Sequence, residues 1–137
     1  MDLFLLGAGK PYSGKKPSSL KKILFNNNAL EWQIQTFKQA FRKSNINFLG
    51  GYNIDLIIKK FPQLNITIVP DWRNNTILNS FLNSPFTSSP AFVSYADTIF
   101  NKETMLNMQS YDKDIVVCID SLWQDRYPLR TSKDINS

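Results

Sequence analysis

Short apolar runs alternate along this chain with apolar residues spaced for one face of a helix. Met1–Leu6 carries the run Leu3, Phe4, Leu5 and Leu6 and predicts a buried strand that ends at Gly7. Pro11, Gly14 and Pro17 make Lys10–Ser19 a loop. Beyond the polar Asn26–Asn28 patch, Leu30, Ile34, Phe37 and Phe41 form one stripe of a helix. Asn28 can cap it, as could either neighbouring asparagine, and Arg42 and Lys43 suit its carboxyl end.

Ile46, Phe48 and Leu49 predict a second strand closed by Gly50 and Gly51. Asn53 then caps a helix that buries Ile54, Ile57, Ile58 and Phe61 and ends at Pro62. Leu64–Val69 reads as a third strand, and Asn74–Leu82 as a helix burying Ile77, Leu78 and Phe81. Pro85 and Pro90 bracket a connector, Ser84–Ser89, before a fourth strand, Ala91–Tyr95. Lys102–Met108 predicts a short helix, and the β-branched run Ile115–Ile119, between Asp114 and Asp120, a fifth strand. From Tyr127 onward the periodicity stops.

This alternation predicts an α/β domain: a three-layer αβα, Rossmann-like arrangement around a mostly parallel sheet. It would span residues 1–127, followed by a polar tail over 128–137. Such sheets bind ligands beyond the carboxyl ends of their strands, where the strand order reverses. If it reverses between the first and fourth strands, the loop after Gly7 and the carboxylate of Asp97 meet in one cleft.

Composition narrows the chemistry. With 137 residues, 42% of them hydrophobic, the chain can build one packed domain and is not broadly disordered. No apolar stretch approaches the roughly 20 residues of a spanning helix, and Met1–Leu6 is too short for a signal sequence. A soluble cytoplasmic protein without a membrane partner is the expectation. Cys118 is the single cysteine, so no internal disulfide can form. The absence of histidine removes the usual general base and the commonest metal ligand. Any metal would be a hard ion on carboxylates, with magnesium the expected one. The formal charge of +5 favours anionic partners without choosing among them.

Gly7, Ala8, Gly9, Lys10, Gly14, Lys15 and Lys16 combine small residues with cations, as a backbone cradle for phosphates requires. A lysine-decorated surface loop is the competing reading, because the nucleotide-triphosphatase and dinucleotide fingerprints are both incomplete. Asp97 follows a strand at the ligand-binding end and can hold magnesium against phosphates, or can serve as a cap before Thr98. Asp120 assists such a site, binds a polar group of a substrate or merely stops its strand, with the structural role favoured. Asp71, Trp72 and Arg73 either recognise a substrate or clasp the sheet edge. Lys15, Lys16, Lys21 and Lys22 form a phosphate site or a solvated face. Aromatic residues are not interleaved with the cations, which disfavours a nucleic-acid platform, and Cys118 suits packing.

Leu5-Leu6-Gly7-Ala8-Gly9, followed by Lys16-Pro17-Ser18-Ser19-Leu20, resembles the signature of sugar-phosphate and alcohol-phosphate nucleotidyltransferases. The similarity is closer to the nucleotidyltransferase domains associated with phosphoenolpyruvate phosphomutase and to phosphocholine cytidylyltransferases. Gly50-Gly51-Tyr52, Pro70-Asp71-Trp72, Ser80, Ser94–Phe100 and Asp120-Ser121-Leu122-Trp123 are similar in kind and order to landmarks of that group. The resemblance implies transfer of CMP or UMP from CTP or UTP to a small phosphate ester or phosphonate, with release of pyrophosphate. It implies that Gly7–Lys16 hold base and phosphates, that Asp97 holds Mg2+, that Lys16 assists catalysis, and that Asp71, Trp72, Ser80 and Asp120 meet the acceptor.

The sequence also departs from that group. Pro11 or Tyr12 stands where the family loop carries Arg, Ser18 follows Pro17 where Lys is usual, and the later strand with a second metal-binding aspartate is missing. Asp134 in the tail is no convincing replacement. Three expectations follow: the amino-terminal part of a larger enzyme; a half that needs a homodimer or partner chain to complete its cleft; or a reduced relative that binds without turnover.

Overall fold

The computed structural model describes residues 1–23, 26–86 and 90–126. The expected tail over 128–137 and part of the Ser84–Ser89 connector lie outside the described residues. Four strands, β1 (Asp2–Gly7), β2 (Asn45–Gly50), β3 (Asn65–Ile68) and β4 (Ala91–Tyr95), form one sheet in the order β3-β2-β1-β4. All three pairings are parallel, with Leu5 opposite Phe48 and Gly7 opposite Gly50 on one side of β1, and Leu6 opposite Tyr95 on the other. The chain therefore reverses direction across the sheet between β1 and β4.

Helices α1 (Ala29–Ala40), α2 (Ile54–Lys60), α3 (Ile77–Leu82), α4 (Lys102–Gln109) and α5 (Trp123–Arg126) follow the strands, with a 3-10 turn at Ser18–Leu20. The main core joins Leu3, Leu5, Ile46 and Phe48 of the sheet to Leu30, Ile34 and Phe37 of α1, Ile57 of α2 and Met105 of α4. A smaller core on the opposite face joins Phe4, Leu49 and Val69, with Phe81 of α3 meeting the Phe4 ring edge-on at 5.5 Å. Among the described residues, no helix is long and apolar enough to cross a membrane.

The α1 stripe is buried as its spacing predicts, and Asn28 closes a reciprocal capping box with Glu31. Asn53 does precede α2, but in a left-handed conformation and without a capping side-chain bond. Its amide instead donates to the Lys15 carbonyl at 2.9 Å. Ile58, expected inside, is exposed on α2.

Two further expectations are corrected. Helix α3 is shorter than predicted, and Ile77 and Leu78 are 50% and 63% exposed while Ser80 is buried. The core on that face is small, and Phe81 is the apolar α3 residue packed against it. The fifth strand does not form: Ile115 and Ile119 are 82% and 78% exposed and pair with no strand. Handedness supplies the reason. From β1 to β3 the chain moves one way with α1 and α2 on one face, and the reversed step to β4 puts α3 on the other, as right-handed crossovers require. Helix α4 lies on the α1 face, so a right-handed return to a parallel strand leads back over β1, and the open edge in that direction lies across the sheet, beyond β3.

The capping box sets a testable acid limb. The Glu31 carboxyl is held below the ordinary glutamate range by the Asn28 backbone N–H first and by Lys60, 2.9 Å away, next. A lowered folded-state value adds stability above the ordinary range, and this is lost as pH falls through the folded value. Urea titrations should therefore find Glu31→Gln less stable than the parent at neutral pH, with the gap closing in acid. Asn28→Ala should cost about 1 kcal/mol at neutral pH with an unchanged urea slope.

Candidate functional site

A cleft of about 250 Å³ opens at the carboxyl ends of β1, β2 and β4, at the point of strand-order reversal. Its walls include Gly7, Ala8, Gly9 and Lys10 from the loop after β1, Trp72 and Ser80 from the β3–α3 region, and Asp97 after β4. These seven are the predicted site residues that the fold brings together.

Each wall has a local cause. A Cβ on Gly7 would stand 2.5 Å from the Phe48 ring and 3.0 Å from the Ala96 side chain, so only glycine lets the chain leave β1 over that ring. The Ala96 N–H donates to the Leu6 carbonyl at 3.0 Å and carries the β1–β4 pairing one step past the strands, up to Asp97. Across the cleft, Gly51 leaves room for the indole of Trp72, whose atoms would lie 2.5–2.8 Å from a Cβ there. Tyr52 meets the indole edge-on at 5.4 Å, and the Arg73 guanidinium lies 4.7 Å from its centre, a cation–π contact.

Asp97 lies in a turn closed by the Thr98 N–H and the Tyr95 carbonyl at 3.2 Å. It is not a helix cap; Asn101 caps α4 by accepting from the Thr104 N–H. The Asp97 carboxylate is exposed and accepts no hydrogen bond from a described residue. Among the described residues, no three acidic or cysteine side chains gather around a metal position. One unengaged carboxylate fits a magnesium ion that takes its remaining ligands from water and phosphate oxygens.

Gly14, Lys15 and Lys16 stay outside the cleft wall. Their segment is fastened to the β2–α2 corner, where the Lys15 carbonyl accepts from Asn53 and, at 3.4 Å, from the Tyr52 hydroxyl. Lys10 does reach the cleft, with its ammonium 6.0 Å from the Tyr52 ring centre. Asp71 accepts from the Asn74 side chain at 3.0 Å and holds a turn. Asp120 accepts from the Leu122 N–H and pairs with Arg126 at 3.1 Å, serving α5 rather than the cleft.

Ser19 is a wall residue outside the predicted set. It is buried in the 3-10 turn, lines the cleft, and its hydroxyl finds no partner among the described residues. Ser80 is also buried, but its hydroxyl donates to the Thr76 carbonyl one turn back. Ser18, Asn75 and Tyr95 complete the polar lining. Comparison with protein-family models, with curated proteins and with solved structures found no match to this chain.

Proposed function

We propose that this cleft binds a pyrimidine nucleoside triphosphate, CTP or UTP, together with Mg2+, and that the chain is a nucleotidyltransferase-like protein. The observation that carries the reading is the convergence of Gly7–Lys10 and Asp97 at the strand-order reversal. Main-chain N–H groups of the small residues and the Lys10 ammonium supply positive potential for phosphates. The buried Ser19 hydroxyl supplies a donor or acceptor to the same ligand. Magnesium, held by Asp97 and phosphate oxygens, would neutralise charge on the triphosphate.

In the transfer reaction an oxygen of the acceptor phosphate or phosphonate attacks the α-phosphorus and forms a P–O–P linkage. The bond from that phosphorus to the α–β bridging oxygen breaks, and pyrophosphate leaves with the electron pair. Such in-line displacement needs positioning and charge rather than a protein nucleophile, so a site without histidine suffices. Trp72 and Ser80, on the wall built by the β3–α3 region, are the groups for the acceptor.

Calorimetric titration of CTP and UTP with and without Mg2+ tests the binding. One nucleotide should bind more tightly with the metal, and Asp97→Asn should abolish that gain. A parent protein with no nucleotide affinity overturns the reading. Pyrophosphate release on adding phosphocholine or 2-aminoethylphosphonate tests transfer, and the release should require Asp97.

A second reading has its own observation. Val93 and Tyr95 on β4, an edge strand among the described residues, are about half exposed, and Leu78, Leu82, Ile115, Val117 and Ile119 add exposed apolar surface. Unpaired edges of this kind recruit further chain. A second copy or a partner chain that covers β4 would complete the cleft and turn a binding module into an enzyme. Light scattering behind a sizing column should then find a dimer at micromolar concentration; a clean monomer removes the homodimer.

A further inference from the structure

We propose that Gln33 of α1 is the positioning residue for Asp97 and thereby sets the metal-dependent part of nucleotide affinity; the inference rests on the nucleotide reading above. Asp97 makes no hydrogen bond of its own to a described residue, so its carboxylate is placed only by the backbone that carries it. That backbone is a four-residue turn closed by a single 3.2 Å bond from Thr98 to Tyr95. The side-chain nitrogen of Gln33 donates to both carbonyls that flank the carboxylate, Tyr95 at 2.8 Å and Thr98 at 2.5 Å. Its neighbour Trp32 donates from Nε1 to the Phe100 carbonyl at 3.0 Å. Two consecutive residues of a helix built between β1 and β2 thus hold two carbonyls of the turn after β4 and a third just beyond it.

Packing alone does not account for Gln33. It is fully buried on the apolar stripe of α1, between Leu30 and Phe37, where leucine or methionine would fill similar space. Its Oε1 is buried with no partner among the described residues, which makes an amide the costlier choice for stability. What an apolar residue cannot supply is the pair of N–H donors. Those donors hold the turn from its buried side and leave its outer side, with Asp97, facing the cleft wall. Magnesium demands near-ideal ligand geometry, so a turn released from α1 would lose metal coordination before it lost fold.

The measurement is the ratio of CTP or UTP affinity with and without Mg2+, taken by calorimetry on the parent, Gln33→Met, Gln33→Asn, Asp97→Asn and the double variant Gln33→Met/Asp97→Asn. Gln33→Met should keep its melting temperature near the parent's and lose about ten- to a hundredfold of the metal-dependent ratio, while metal-free affinity stays within about threefold. Combined with Asp97→Asn it should lose nothing more, because both changes act through one carboxylate. Should Gln33→Met fail to fold, Gln33→Asn, which keeps an amide on a shorter stem, carries the same comparison. A folded Gln33 variant with the parent's metal ratio, or losses that simply add in the double variant, overturns the role of Gln33 and leaves the nucleotide reading standing. A parent protein whose nucleotide affinity ignores Mg2+ overturns the metal reading at Asp97 and this inference with it.

Discussion

The Phe48 ring occupies the space that side chains at Gly7 and Gly50 would need, and the cleft depends on that exclusion. Phe48 is fully buried in the main core, between the strands and α1, yet its ring edge reaches the point where β1 and β2 end. One residue therefore couples the packing of the sheet to the shape of its carboxyl end. With no side chain at Gly7, β1 can turn away over the ring, and the Ala96–Leu6 hydrogen bond brings the Asp97 turn alongside. The reversal of strand order then sets the glycine loop and the carboxylate on two sides of one hollow.

Much of this was legible in the chain itself. The strands β1, β2 and β4 announce themselves as short apolar runs, and α1 as a stripe that recurs with the helical period. That Gly7–Lys10 and Asp97 share one cleft follows from their places at the carboxyl ends of β1 and β4 in a parallel sheet. The failures share a cause, because each depended on what lay across space. Ile115–Ile119 has strand-forming residues, but the open edge toward which a right-handed connection from α4 leads lies across the sheet, beyond β3. Ile77 and Leu78 have a helical period but little sheet beneath them. Gly14, Lys15 and Lys16, close to the glycines in sequence, stand outside the cleft wall because the contacts that draw their segment to Asn53 and Tyr52 are nearly forty residues away.

Gln33 shows what a closer reading of pattern can recover. A polar residue on the apolar stripe of a capped helix breaks the local rule, and such breaks concentrate where a fold serves something besides stability. Ser19 is a parallel case: a small hydroxyl in a tight turn carries no periodic signal, and only the packed structure reveals it as a wall of the cleft. Asp71 and Asp120 are the opposite lesson, since acidic residues after strands were equally suggestive by position and turn out to be occupied by their own turns.

The attachment of the lysine loop has an evolutionary corollary. Tyr52 and Asn53 grip it through the carbonyl of Lys15, an atom every amino acid possesses. Side chains along that loop can drift between cationic, neutral and bulky types while its anchorage persists. The sequence of that loop is thus free to diverge in descendants of this scaffold at little expense to folding.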